Sequence, residues 1–120
     1  DDGKTWAAPR PVASVNTDRD DHQPHLYRSD GEWFLYYSGC LDDGRSGILR
    51  ARQTRPGEWG EWSDVHLVIE HGGAAAIGEA TLTADGDLYF AVVSENPSGT
   101  RWDRFDCDPW IAPRRGLRPK

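Results

Sequence analysis

His22 and His25, with Asp20 and Asp21 just before them, are the first residues in the chain whose types suit chemistry. Imidazole nitrogens and carboxylate oxygens are the donors that several transition metals take. On a regular strand, residues three apart point to opposite faces, so a shared ion would need an irregular loop here. The spacing therefore favours two histidines satisfied by loop hydrogen bonds, and no metal site is expected. Asp103, Asp106 and Asp108 alternate around Cys107 in a pattern that suits calcium, yet no glycine stands where a calcium-binding turn requires one. Trp59, Trp102 and Trp110 are flat apolar rings that either stack on a sugar face or fill a core. Neither a phosphate-cradling glycine motif nor a Gly-x-Ser-x-Gly elbow occurs, so a nucleophilic serine has no support and no cofactor is implied.

The elements that hold these residues must come from a short chain. With 120 residues there is room for one domain and one core. Thirteen glycines, eight prolines and six tryptophans favour many short strands over a helical bundle. A mean hydropathy of −0.75 leaves no window near the ~20 apolar residues of a membrane span. Twenty acidic against fourteen basic residues give a net charge of −6, which repels phosphate backbones and makes nucleic acid a poor partner. Cys40 and Cys107 are too few for a disulfide scaffold; two free thiols and a single bridge both remain open. The first residues carry no basic and apolar leader, and Asp1-Asp2-Gly3-Lys4-Thr5-Trp6 reads as a turn with no strand feeding it. A piece of a longer chain is the expectation.

The chain repeats itself. Asp30-Gly31 launches Trp33–Ser38, and about 55 residues later Asp85-Gly86 launches Leu88–Val93, each an Asp-Gly turn followed by an aromatic or β-branched run. A short apolar partner precedes each turn, Pro24–Arg28 and Glu79–Thr83. A further strand follows each hairpin, Gly47–Arg52 and Pro109–Arg114. The Trp-led segments Thr5–Val12 and Glu61–Val68 complete the match. Gly72–Gly78 has alanines closely flanked by glycines and reads as a loop. Four strands per period and a period slightly above the ~40–50 residues of propeller blades predict two blades, roughly 1–55 and 56–120. Two such wedges leave sheet faces uncovered, so further blades or self-association are expected. The basic run Arg114–Lys120 reads as a linker.

Asp1-x-Gly3-x-x-Trp6 resembles the Asp-box of sialidase-type propellers, with its leading serine missing. Pro56–Trp62 keeps the tryptophan without the aspartate, similar to the degenerate boxes of TolB-type propeller repeats. Asp85–Phe90 followed by Asp108-Pro109-Trp110 and Arg114 is also similar to those repeats. The resemblance covers nearly the whole chain and implies an all-β fold of two four-stranded antiparallel blades in a larger ring. Propellers host hydrolases, lyases, lectins and scaffolds alike, so the architecture does not specify an activity.

In the phasing the resemblance implies, the strands beginning near Pro24 and Glu79 are the innermost, and their leading ends face the usual ligand site. Two functions follow. The first is a binding module for a carbohydrate or protein ligand, with His22, His25, Trp59 and Trp102 as contacts. The second is part of a glycoside hydrolase, with Asp21 as base or nucleophile and Glu79 as general acid. Such a pair must stand about 5–9.5 Å apart. Related five-bladed glycosidases carry an Asp-Pro or Asn-Asp-Pro pattern where this chain has Asp21-His22-Gln23-Pro24. The arginine triad and nucleophilic tyrosine of sialidases have no residue-by-residue match here, so sialidase activity does not carry over. Related propellers are commonly secreted or periplasmic, which is the location the resemblance implies.

Overall fold

The computed structural model describes residues 3, 5–100 and 103–114. Seven strands run in chain order: β1 (His22–Ser29), β2 (Glu32–Cys40), β3 (Ser46–Gln53), β4 (Trp62–Glu70), β5 (Ala76–Leu82), β6 (Leu88–Glu95) and β7 (Phe105–Ala112). They form two antiparallel sheets, ordered β1-β2-β3-β4 and β5-β6-β7, and no helix occurs among the described residues. The all-β expectation holds at this level. The sheets divide between Glu70 and Ala76, whereas the sequence period divides near residue 55, because Trp62–Glu70 pairs with β3 as the outer strand of the first sheet. The second sheet has three strands among the described residues rather than four. Of the segment read as a loop, Ala76–Gly78 belongs to β5.

The two Asp-Gly turns differ. Ser29 pairs with Glu32, leaving only Asp30 and Gly31 between the strands. Both have positive φ, 52° and 85°, as the tight two-residue turn that matches strand twist requires. In the second sheet the last pair is Leu82 with Leu88; the Thr83 amide donates to the Asp87 carbonyl and the Gly86 amide to the Thr83 carbonyl. The same dipeptide there sits in a longer, bulged loop.

Alternation along β2 explains how one sheet supports two cores. Leu35 and Tyr37 face one side, where they pack with Leu49, Ala51 and Trp62 beneath Val12 and Val15 of the N-terminal segment. Tyr36 faces the other side with Ile48, against Ile77, Ala80, Leu88 and Phe90 of the second sheet. Ser14 pins the N-terminal segment, donating to the Gly60 carbonyl and accepting from the Trp62 amide, both at 3.0 Å. Trp6, the sequence counterpart of Trp62, is 87% exposed where Trp62 is 6% exposed, and Thr5–Val12 forms no strand.

Ile48 has no exposed surface and carries the contact between sheets. Truncation to alanine should cost about 2–5 kcal/mol, while Val68→Ala on the exposed side of β4 should stay within about 0.5 kcal/mol. Urea denaturation of the two variants checks the contrast.

Candidate functional site

The chain reaches the leading end of β1 through a tight polar turn. The Thr17 amide and hydroxyl donate to Asp21 Oδ2 at 2.5 and 2.7 Å, closing the segment just before the strand. The other oxygen, Oδ1, is buried with no hydrogen-bond partner, and it lies over Gly39, 2.5 Å from where a Cβ would stand. Asp21 and His22 line a cavity of about 100 Å³ with Tyr37, Val12, Val15 and Leu35. Burial first, and the Asp21 carboxylate second, push the Tyr37 hydroxyl up to about 12. An orphaned carboxylate oxygen in a cavity of this size is an acceptor for a hydroxyl, an ammonium or a water.

His25 turns away from this cavity. Its Nε2 accepts from the Leu82 amide at 3.3 Å, so the ring links β1 to β5. Gln23 does the same more strongly: Oε1 accepts from the Glu79 amide at 2.9 Å and from the Ser38 hydroxyl at 3.2 Å. Gln23 and Glu79 both have φ of 56°, and each lies at a bulge, between His22 and His25 in β1 and between Gly78 and Thr81 in β5. Two bulges thus meet across the sheets. A Cβ on Gly78 would fall 2.0 Å from Gln23 Oε1, so only glycine admits this approach.

The residues singled out in the sequence therefore separate. Asp21 and His22 share a cavity. Glu79 is exposed and lines a different one, of about 260 Å³, with Thr81, Tyr89, Cys107 and Pro109 on the open face of the second sheet. Trp59 lies at the far end of the first sheet, its ring edge-on to Trp33 with centroids 5.2 Å apart and its carbonyl accepting from Trp62 Nε1. Trp102 is outside the described residues. Asp103 accepts from the amide and hydroxyl of Thr100, which holds its carboxyl below the usual range and makes it a loop cap. Cys40 and Cys107 are free thiols on different sheets. Among the described residues no three His, Cys, Asp or Glu gather as metal ligands would. Sequence reasoning missed Gln23 and Tyr37. Tyr37 hides in an aromatic run that reads as core, and Gln23 had only its position before Pro24 to mark it.

Comparison with family models, curated proteins and solved structures returns no match.

Tyr37 should be among the last tyrosines to ionise in a spectrophotometric titration, near 12. Asp21→Asn should lower that value while leaving it above the ordinary 10, because burial is the larger cause. The raised value stabilises the fold fully below pH 10, and that contribution is lost as pH rises through 10 towards 12, since the unfolded chain then binds fewer protons. Separately, Gln23→Ala strands a serine hydroxyl and a backbone amide between the sheets and should cost about 1–3 kcal/mol in urea denaturation.

Proposed function

We propose that this chain forms two consecutive blades of a sialidase-like or TolB-like β-propeller and acts in ligand binding rather than catalysis. The observation that carries the architecture is the order of packing. One face of the first sheet lies on the second sheet, and the equivalent face of the second sheet lies open, with Tyr89 45% and Ile111 46% exposed side by side on paired strands. Stacking of unlike faces extends until a ring closes. Further blades, or self-association, complete it. The Trp-led segment Thr5–Val12, which forms no strand, is the counterpart of β4 and belongs in this reading to the edge of a preceding sheet.

The ligand is a carbohydrate or a protein, met at the leading ends of the innermost strands, where Asp21 keeps an unused acceptor beside His22. A glycosidase built on Asp21 and Glu79 would need both carboxyls on one bond. They line separate cavities, and Glu79 stands in solvent, so binding is the function this geometry favours. A secreted or periplasmic location goes with the family resemblance.

Light scattering on the purified chain should give a mass above the monomer that rises with concentration, and Tyr89→Asp combined with Ile111→Asp should return it to 13.5 kDa. A strict monomer at all concentrations whose Tyr89 face fails to bind an apolar dye would sink the blade reading. Hydrolysis of aryl glycosides that disappears in Asp21→Asn would restore the enzyme instead.

A further inference from the structure

A third cavity lies between the sheets at the end where the Asp30–Gly31 turn sits, away from Asp21. It measures about 200 Å³ and takes its lining from both sheets. Arg50 of β3 enters it with its guanidinium 5.0 Å from the centre of the Phe34 ring. The Arg50 Nε is buried with no hydrogen-bond partner, and no ion pair engages the side chain among the described residues. Arg52, two residues along the strand, is by contrast held by Asp64 at 2.7 Å and Glu32 at 3.3 Å. A half-buried guanidinium left without an anion is a site in waiting, because desolvation has been incurred and no counter-charge offsets it.

The surrounding groups are consistent with one kind of occupant. Arg114 arrives from the second sheet: its Nη1 and the Tyr27 hydroxyl close on the open side of Gly86, 3.3 and 3.2 Å from where a Cβ would stand. Tyr27 and Tyr36 meet edge to face, centroids 6.4 Å apart, and give the cavity an aromatic wall. Tyr36 is nearly buried and lines the cavity. Asp30 and Glu32, both exposed, supply acceptors at the rim. Those carboxylates need donors, which the hydroxyls of a sugar bring along with its anionic group and a bare inorganic anion does not. A volume under the ~300 Å³ at which drug-sized pockets begin admits one ring rather than an oligosaccharide.

We infer that this cavity binds a sugar acid, a single pyranose ring bearing a carboxylate. The carboxylate forks onto Arg50 with Arg114 beside it, the apolar ring face lies against the tyrosines, and the hydroxyls donate to Asp30 and Glu32. The site needs only the two sheets seen here and stands or falls independently of ring closure and of the Asp21 cavity.

The test is calorimetric titration of the whole chain with galacturonate, galactose and inorganic phosphate, with folding of every variant checked by circular dichroism. Galacturonate should bind at least about tenfold more tightly than galactose or phosphate. Arg50→Gln should reduce that affinity by about tenfold or more, Arg50→Lys should fall between, since it keeps the charge without the planar fork, and Arg45→Gln in the distant β2–β3 loop should leave it within about twofold. Should Arg50→Gln not fold, Arg114→Gln carries the same expectation of weakened binding. Absence of galacturonate binding, parity among the three ligands, or folded Arg50 variants that bind as well as the parent would overturn the inference.

Discussion

One amide oxygen joins the two halves of this protein. Gln23 Oε1 accepts from β2 through Ser38 and from β5 through Glu79, at a point where β1 and β5 both bulge and Gln23 and Glu79 both adopt left-handed backbone angles. Such angles cost of order 1–3 kcal/mol each in a non-glycine residue and persist only where the surroundings fix them. Here the fixing comes from the apolar layer alongside, Tyr36 and Ile48 against Ile77, Ala80 and Phe90. Hydrogen bond and core are mutually dependent: the amide satisfies groups that the packing has removed from water, and the packing holds the bulges opposed.

That seam decides which side chains remain for function. It takes His25 and the backbone of Glu79 for structure, and it leaves Asp21 and His22 in the cavity at the leading end of β1, beside Val12 and Val15 of the N-terminal segment. The start of β1 is irregular, with a bulge between His22 and His25, and the two histidines meet different surroundings: His22 lines the Asp21 cavity while His25 accepts from the Leu82 amide. At the other end of the sheets the Arg50 guanidinium lies over the Phe34 ring with no carboxylate partner among the described residues. The two cavities have different walls: the Asp21 cavity lies on the face of the first sheet that the N-terminal segment covers, and the Arg50 cavity lies between the sheets.

Much of the fold was legible, because it rests on local rules. Asp30-Gly31 dictates a turn by backbone sterics, and the runs Trp33–Ser38 and Leu88–Val93 dictate strands by pattern. Where hydrogen-bond partners decide, the sequence was silent. Glu61–Val68 looks like the start of a second repeat and is instead the outer strand of the first sheet, since the sequence period and the sheet are out of phase. The candidate site was legible in part. Asp21 and His22 stand out in the sequence because carboxylate and imidazole advertise themselves, and they line one cavity. Gln23, Tyr37 and Arg50 do not stand out, because their roles come from neighbours about 15–60 residues away in the chain, which no local pattern encodes.

The central claim is that the two sheets are one cooperative body with a shared core. Native-state hydrogen exchange measures it most directly, by the opening free energies of the Leu49 amide in β3 and the Phe90 amide in β6. With a common core and a joined seam, both amides should open only in global unfolding and give the same value within error. A β6 amide that opens well below the β3 amide, unaffected by Gln23→Ala, would mean that the second sheet merely rests on the first, and would contradict the claim.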